Sequence, residues 1–165
     1  MLTDEKTLHK VLVSITDELQ NRKQILRTAG VANIDEYNRN AEKKLYRIVF
    51  ACDEIAEVLD KTGLSKQQKD EILKIESELS IIARQGRAFG IHLVLATQRP
   101  DATILNGQIR NNIDTRICGR ADNVLSQIIL DNTDASDKIA KSSQGRFLTN
   151  SGKIFQAYWF DENIL

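Results

Sequence analysis

Two uninterrupted apolar runs with a long amphipathic helix between them constrain the fold more than any other feature of this sequence. The first run, Ile48 to Cys52, is rich in β-branched and aromatic residues and is too short for a helix. The second run, Ile91 to Thr97, follows the helix directly. Continuous apolar strands are typical of a parallel sheet that is buried on both faces, and the strand–helix–strand order predicts a right-handed crossover. The sequence therefore predicts an α/β fold in which helices flank a mainly parallel sheet.

Apolar periodicity and capping residues predict three helices in the first half of the chain. Residues Thr3 to Ala29 carry apolar side chains at steps of three and four, and Gly30 provides a left-handed stop. A shorter helix begins at Asn33, which has a glutamate at the capping-box spacing. The crossover helix begins at Ser65, again with capping-box spacing, and we expect Gly90 to close it.

The last third of the chain contains shorter predicted elements. Arg116 to Cys118 is predicted to be a third strand, and Ser126 to Leu130 a short helix. Phe147-Leu148 and Ile154 to Phe160 are predicted to form a terminal hairpin that turns at residues 150–152.

The charge balance excludes a general attraction to nucleic acid. Lys and Arg total 23, as do Asp and Glu, so the formal net charge is zero and any DNA contact must be local. The apolar runs are far shorter than the roughly 20 residues needed to cross a bilayer. The N-terminus lacks a basic-then-apolar secretory pattern, so we expect a cytoplasmic location.

A pair of carboxylates follows the first apolar run. Asp53 and Glu54 come directly after Cys52, at the carboxyl end of the predicted strand, where open α/β sheets bind ligands. The first carboxylate can hold a water that is bound to Mg²⁺, a cation that prefers oxygen ligands. The second can act as a general base that accepts a proton from an attacking water. The alternative is a strand that simply ends in solvated acids.

The second strand also ends in polar side chains. Thr97 and Gln98 are predicted to lie beside the two acids, because neighbouring parallel strands end at the same edge. An amide both donates and accepts hydrogen bonds, so Gln98 can contact a γ-phosphate oxygen and orient the attacking water. The alternative is an ordinary turn.

These motifs and their order resemble the FtsK/SpoIIIE family of DNA-pumping ATPases. The segments that carry the resemblance are Arg22 to Asn38, Ile48 to Ile55, Ile81 to Ala88, Gly90 to Pro100, Thr115-Arg116-Ile117 and Ser126 to Asp131. Together they cover nearly the whole chain. The resemblance implies that residues 1–165 are the C-terminal portion of a motor domain, a partial RecA-like P-loop NTPase core with a C-terminal β-hairpin.

The resemblance also implies cofactors, partners and roles for residues. Asp53 and Glu54 match the Walker B motif, and Thr97 and Gln98 match the family's nucleotide sensor. ATP and Mg²⁺ would be the cofactors, double-stranded DNA the substrate, and further copies of the chain the partners in a ring, expected to be a hexamer. Contact with a membrane would come only through an N-terminal region that is not seen in this sequence.

The resemblance further implies an arginine that reaches the nucleotide of a neighbouring subunit. Arg116 matches this arginine finger, with a plain surface ion pair as the alternative. Arg120 is a substitute candidate, and Gln127 stands where the family commonly has arginine.

One departure from the family pattern bears on activity. The sequence has no Gly-x-x-x-x-Gly-Lys-Ser/Thr loop, which would hold the β- and γ-phosphates. We therefore expect an ATPase in the intact motor but no tight ATP binding or hydrolysis by this chain alone. Two other functions stay open: a conjugative-transfer or type VII-like secretion ATPase of the same family, and a non-catalytic scaffold.

Overall fold

The computed structural model describes residues 5–98 and 107–158, which fall into two compact units. The first unit comprises residues 5–98 and 107–113, and the second comprises residues 114–158. In this described part of the chain, no helix is both long enough and apolar enough to cross a bilayer.

The first unit contains the predicted strand–helix–strand arrangement. Its elements are α1 (Glu5–Thr28), α2 (Ile34–Asn40), β1 (Ile48–Cys52), α3 (Ile55–Leu59), α4 (Lys66–Gln85), a 3-10 turn (Arg87–Phe89), β2 (Ile91–Leu95) and α5 (Gly107–Asn111). Strands β1 and β2 are parallel and pair in register along their whole length. The short helices α3 and α5 were not predicted, because a segment of five residues shows too little periodicity to be recognised.

Helices α1 and α4 pack against each other through the predicted apolar stripes. Leu12 and Leu19 of α1 and Ile75 and Leu79 of α4 are all fully buried. Each such side chain contributes about 1.5–3 kcal/mol relative to an exposed position. These two helices therefore form one packed pair, in which α4 also contacts β2.

The capping residues behave as predicted, with one exception. Ser65 forms a complete capping box, and the Asn33 side chain accepts from the third amide of α2 over 3.0 Å. The prediction that Gly90 closes α4 is wrong, because the helix ends at Gln85 and a 3-10 turn follows. The Gly86 carbonyl accepts two later amides, which tightens the backbone, and Gly90 ends that turn at φ +72°.

The parallel sheet buries one face and exposes the other. Ile48, Phe50 and Leu93 pack into the core formed with the helices. On the opposite face, Val49 is 61% exposed and Val94 is 55% exposed. The prediction of a sheet buried on both faces is therefore wrong, because the described helices of this unit pack on one side only.

The second unit is a small antiparallel sheet with two helices. Its elements are β3 (Ile117–Cys118), α6 (Asn123–Leu130), α7 (Asp134–Asp137), β4 (Arg146–Thr149) and β5 (Ile154–Gln156). The strand order is β3-β4-β5, so the predicted third strand pairs with the hairpin rather than with β1 or β2. The hairpin is confirmed, although Trp159 and Phe160 of its predicted second strand lie outside the described residues. The predicted fold class, α/β with a parallel sheet and a C-terminal hairpin, is confirmed.

Candidate functional site

Four polar residues meet at the carboxyl edge of the parallel sheet. Asp53 and Glu54 follow β1, and Thr97 and Gln98 follow β2. Pairing of these two segments continues past the ends of β1 and β2, since the amide of Ala96 donates to the carbonyl of Cys52, the last residue of β1, over 2.8 Å. The register of the sheet therefore brings both tips to one place.

The Glu54 carboxylate is hydrogen-bonded from both tips. Its Oε1 accepts from the amide of Ala56 over 3.3 Å, which makes Glu54 the N-cap of α3. The hydroxyl of Thr97 donates to the same oxygen, and the amide of Gln98 donates to Oε2 over 2.8 Å. Hydrogen bonds to a charged acceptor are about twice as strong as neutral ones. This half-buried carboxylate is consequently held in one orientation by donors from the segments that follow β1 and β2.

Asp53 has different surroundings from those of Glu54. Its side chain is exposed. Within residues 5–98 and 107–158, its carboxylate forms no hydrogen bond or ion pair. Burial raises the pKa of the adjacent Cys52 thiol, and the charges of Glu54 and Asp53 raise it further. The tip of β1 is thus an acidic site with one restrained and one solvated carboxylate.

These residues fit one part of a site for a magnesium-bound nucleotide. No group of three or more His, Cys, Asp or Glu side chains in the described ranges is arranged to hold a metal ion. Mg²⁺ commonly takes one or two protein carboxylates and fills its remaining positions with water and substrate phosphates. The exposed Asp53 can supply such a carboxylate. Gln98, whose backbone amide contacts Glu54, is also exposed, and its side chain offers both a donor and an acceptor. The phosphate-holding loop is not part of the sequence.

Arg116 lies in the second unit, one residue before β3. Its Nη2 is 2.6 Å from Oδ2 of Asp131, and 19% of its side chain is exposed. Its Nε is buried and has no hydrogen-bond partner among the described residues. The ion pair that the sequence left as an alternative is therefore present. The substitute candidate Arg120 donates to the backbone carbonyls of Ala121 and Ala135 in the same unit.

The described hydrogen bonds of Glu54 were not predicted from the sequence. The sequence resemblance implied a nucleotide contact for Thr97, and in the structure its hydroxyl donates to Glu54. The N-cap contact with Ala56 was also missed, because glutamate is not among the preferred N-cap residues. The register of a parallel pair, from which the Thr97 contact follows, is not encoded in either strand alone.

Curated DNA translocases are similar to this chain over most of its length. No family model matches the chain. The DNA translocase FtsK of Chlorobaculum tepidum is 32% identical over 156 residues, which are 93% of this chain and 18% of that protein. FtsK of Chlamydia muridarum is 34% identical over 151 residues, which are 83% of this chain and 18% of that protein. The chain belongs to the FtsK/SpoIIIE family. It spans about a fifth of the length of these FtsK relatives.

Two solved structures share the fold of this FtsK-type chain. The pCW3 conjugation coupling protein TcpA, in a monomer form with ATPγS, superimposes with a TM-score of 0.91 at 39% identity. That match covers 99% of this chain and 47% of TcpA. EssC of Geobacillus thermodenitrificans, with ATPases 2 and 3, matches with a TM-score of 0.65 at 23% identity, over 93% of this chain and 27% of EssC. The EssC match indicates the fold alone.

Proposed function

We propose that this chain is part of an ATP-driven motor that moves double-stranded DNA. Membership of the FtsK/SpoIIIE family supports a translocase-type ATPase, and TcpA, similar over 99% of the chain, was solved with ATPγS. The observation that carries the proposal is the meeting of Asp53, Glu54, Thr97 and Gln98 at one sheet edge. As an FtsK-type motor, the protein would work in the cytoplasm.

In the proposed mechanism, each residue at the strand tips has a separate task. Glu54 accepts a proton from the water that attacks the γ-phosphate, and its fixed orientation suits a general base. Asp53 would hold Mg²⁺ through a bound water, and the exposed Gln98 amide would orient the attacking water and sense the γ-phosphate. Thr97 borders the same nucleotide pocket. A bound Mg²⁺ would neutralise charge that develops on the phosphate oxygens.

The missing phosphate loop leads us to propose that the isolated 165 residues do not hydrolyse ATP. A triphosphate is normally held by backbone amides and a lysine of that loop, and neither the sequence pattern nor the lysine is present. The strand tips supply the metal and water side of the reaction only. In the full-length protein, we propose that residues outside this chain hold the β- and γ-phosphates.

We further propose that the intact motor is a ring, expected to be a hexamer, in which Arg116 serves the nucleotide of a neighbouring subunit. A positive side chain there would stabilise charge that spreads over the γ-phosphate in the transition state. The ion pair with Asp131 must open before Arg116 can reach another subunit. Arg120 stays the substitute candidate.

A second candidate function is DNA transfer in plasmid conjugation. TcpA is a conjugation coupling protein, and it shares 39% identity with this chain at a TM-score of 0.91. Chromosome segregation and conjugation are therefore the two candidate uses of this motor. Both uses need ATP hydrolysis by the residues at the carboxyl edge of the parallel sheet.

The catalytic test is the Glu54→Gln variant of the full-length protein. We expect ATP binding to be preserved and hydrolysis to fall at least about 100-fold, a loss typical of a missing general base. The matched control is Glu57→Gln, which changes an exposed glutamate on α3 and should leave turnover unchanged. Near-normal hydrolysis by Glu54→Gln would rule out Glu54 as the base, and a wild-type protein that binds no ATP would favour the scaffold function.

Cargo is tested by displacement of a third strand from a DNA triplex. The full-length wild-type protein should displace the third strand only with ATP and Mg²⁺, and Glu54→Gln should bind the duplex without displacing it. Preference for a duplex with oriented recognition sequences would support a chromosome motor. Displacement that ignores sequence orientation would favour conjugative transfer.

A further inference from the structure

Among the described residues 5–98 and 107–158, the Glu54 carboxylate accepts hydrogen bonds from two backbone amides and from one hydroxyl. The amides of Ala56 and Gln98 are backbone groups, whereas the hydroxyl of Thr97 can be removed by mutation. We propose that Thr97 is a positioning residue for Glu54: its hydroxyl fixes the orientation of the carboxylate that activates the attacking water. This inference rests on the proposed role of Glu54 as the base.

The hydroxyl of Thr97 has one proton, which decides between two roles. In the structure, that proton is donated to Oε1 of Glu54. A phosphate oxygen is an acceptor, so the same hydroxyl cannot donate to a phosphate and to Glu54 at once. A Thr97 that positions Glu54 therefore affects the chemical step, whereas a Thr97 that binds phosphate affects nucleotide affinity.

The geometry explains why the side-chain donor matters when two backbone donors are also present. The amide of Gln98 holds Oε2, and the amide of Ala56 holds Oε1 only over 3.3 Å. Without the hydroxyl, Oε1 loses one of its two described donors and keeps the longer bond to Ala56, so the carboxylate is held less firmly. A base must lie within hydrogen-bond reach of its water, so a small rotation slows proton transfer.

The test compares Thr97→Val with Thr97→Ser in the full-length protein. Valine keeps the shape of threonine and removes the hydroxyl, while serine keeps the hydroxyl. We expect kcat for ATP hydrolysis to fall about 10-fold in Thr97→Val, with KM within about twofold of wild type, because orientation errors act on the chemical step. Thr97→Ser should restore kcat to within about threefold of wild type.

Control variants separate this effect from general damage. Thr28→Val makes the same substitution at an exposed position at the end of α1 and should leave kcat and KM unchanged. If Thr97→Val does not fold, Thr97→Ala is measured instead with the same expectation. A rise in KM with unchanged kcat, or no change in either constant, would overturn the inference.

A double-mutant cycle distinguishes failure of this inference from failure of the proposed function. If Thr97 acts through Glu54, Thr97→Val should lower kcat no further in a Glu54→Gln background. Losses that multiply in the double variant would mean that Thr97 acts elsewhere, and the inference alone would fail. If Glu54→Gln by itself retains turnover, the role of Glu54 as base fails, and this inference fails with it.

Discussion

Whether Gly86→Ala raises or lowers the free energy of unfolding depends on the tertiary structure around this residue. Gly86 lies between α4 and the 3-10 turn that leads into β2, with ordinary right-handed helical angles of φ −62° and ψ −36°. Local propensity alone therefore predicts that Gly86→Ala stabilises the protein, by about 1 kcal/mol. In the fold, however, a Cβ atom at this position would lie 2.6 Å from the carbonyl oxygen of Ile91 and 2.7 Å from that of Ile82.

Both neighbours are backbone atoms, so neither can turn away as a flexible side chain would. Overpacking of this kind typically costs 1–3 kcal/mol, and two backbone contacts place Gly86→Ala near the top of that range, at about 3 kcal/mol. After the propensity gain is subtracted, we expect the variant to be about 2 kcal/mol less stable than wild type.

The measurement is urea unfolding of the 165-residue chain, followed by far-UV circular dichroism. The control is Gly63→Ala, where φ is +71° and nothing lies within 4 Å of the new Cβ. We expect Gly63→Ala to lose only about 0.5–1 kcal/mol, the left-handed strain less the entropy gained in the unfolded state. A Gly86→Ala protein as stable as wild type, or more stable than Gly63→Ala, would refute the close approach of α4 and β2.

Other predictions concern an ion pair, a thiol and the site carboxylate. Lys61→Met should cost about 1–3 kcal/mol in urea unfolding, because it leaves Glu76, which is 7% exposed, without its cation at 2.7 Å; an unchanged midpoint would contradict this. The raised pKa of Cys52 keeps its thiol protonated in the folded state to a higher pH than in the unfolded state. The contribution of this thiol to the free energy of unfolding is therefore complete below the pKa of an exposed thiol and is lost as pH rises through the folded pKa. Alkylation of Cys52 at neutral pH should be slower in the folded protein than in the urea-unfolded chain. Equal alkylation rates would argue against the burial of Cys52. Glu54→Gln should lower the free energy of unfolding by about 1 kcal/mol relative to Glu57→Gln, since an amide cannot accept from donors at both of its ends; identical stabilities would mean that these hydrogen bonds do not form.

Several local features could be predicted because neighbouring residues determine them. The N-cap at Asn33, the capping box at Ser65, the left-handed Gly30 and the hairpin turn at Gly152 all depend on spacings of a few residues. The apolar stripes of α1 and α4 follow from a repeat within each helix. Such features need no knowledge of the rest of the chain.

The candidate site was predictable in its members but not in its contacts. The four residues follow two apolar runs, and parallel strands end at one edge, so their proximity could be expected. Which donor reaches which oxygen of Glu54 depends on the register between strands that are separated by a 20-residue helix. For Arg116, the sequence left two roles open, and the fold supplies the Asp131 partner.

The sequence by itself determined the order of the longer elements, the helix ends that depend on caps and the four polar residues at the strand tips, because short-range periodicity and turn chemistry encode them. Only the tertiary structure decided that Val49 and Val94 are exposed, that β3 joins the antiparallel sheet and that Thr97 donates to Glu54. An apolar run without alternation does not indicate which face of the sheet other elements will bury. A two-residue strand does not specify the strand with which it pairs. Packing between distant segments settles both.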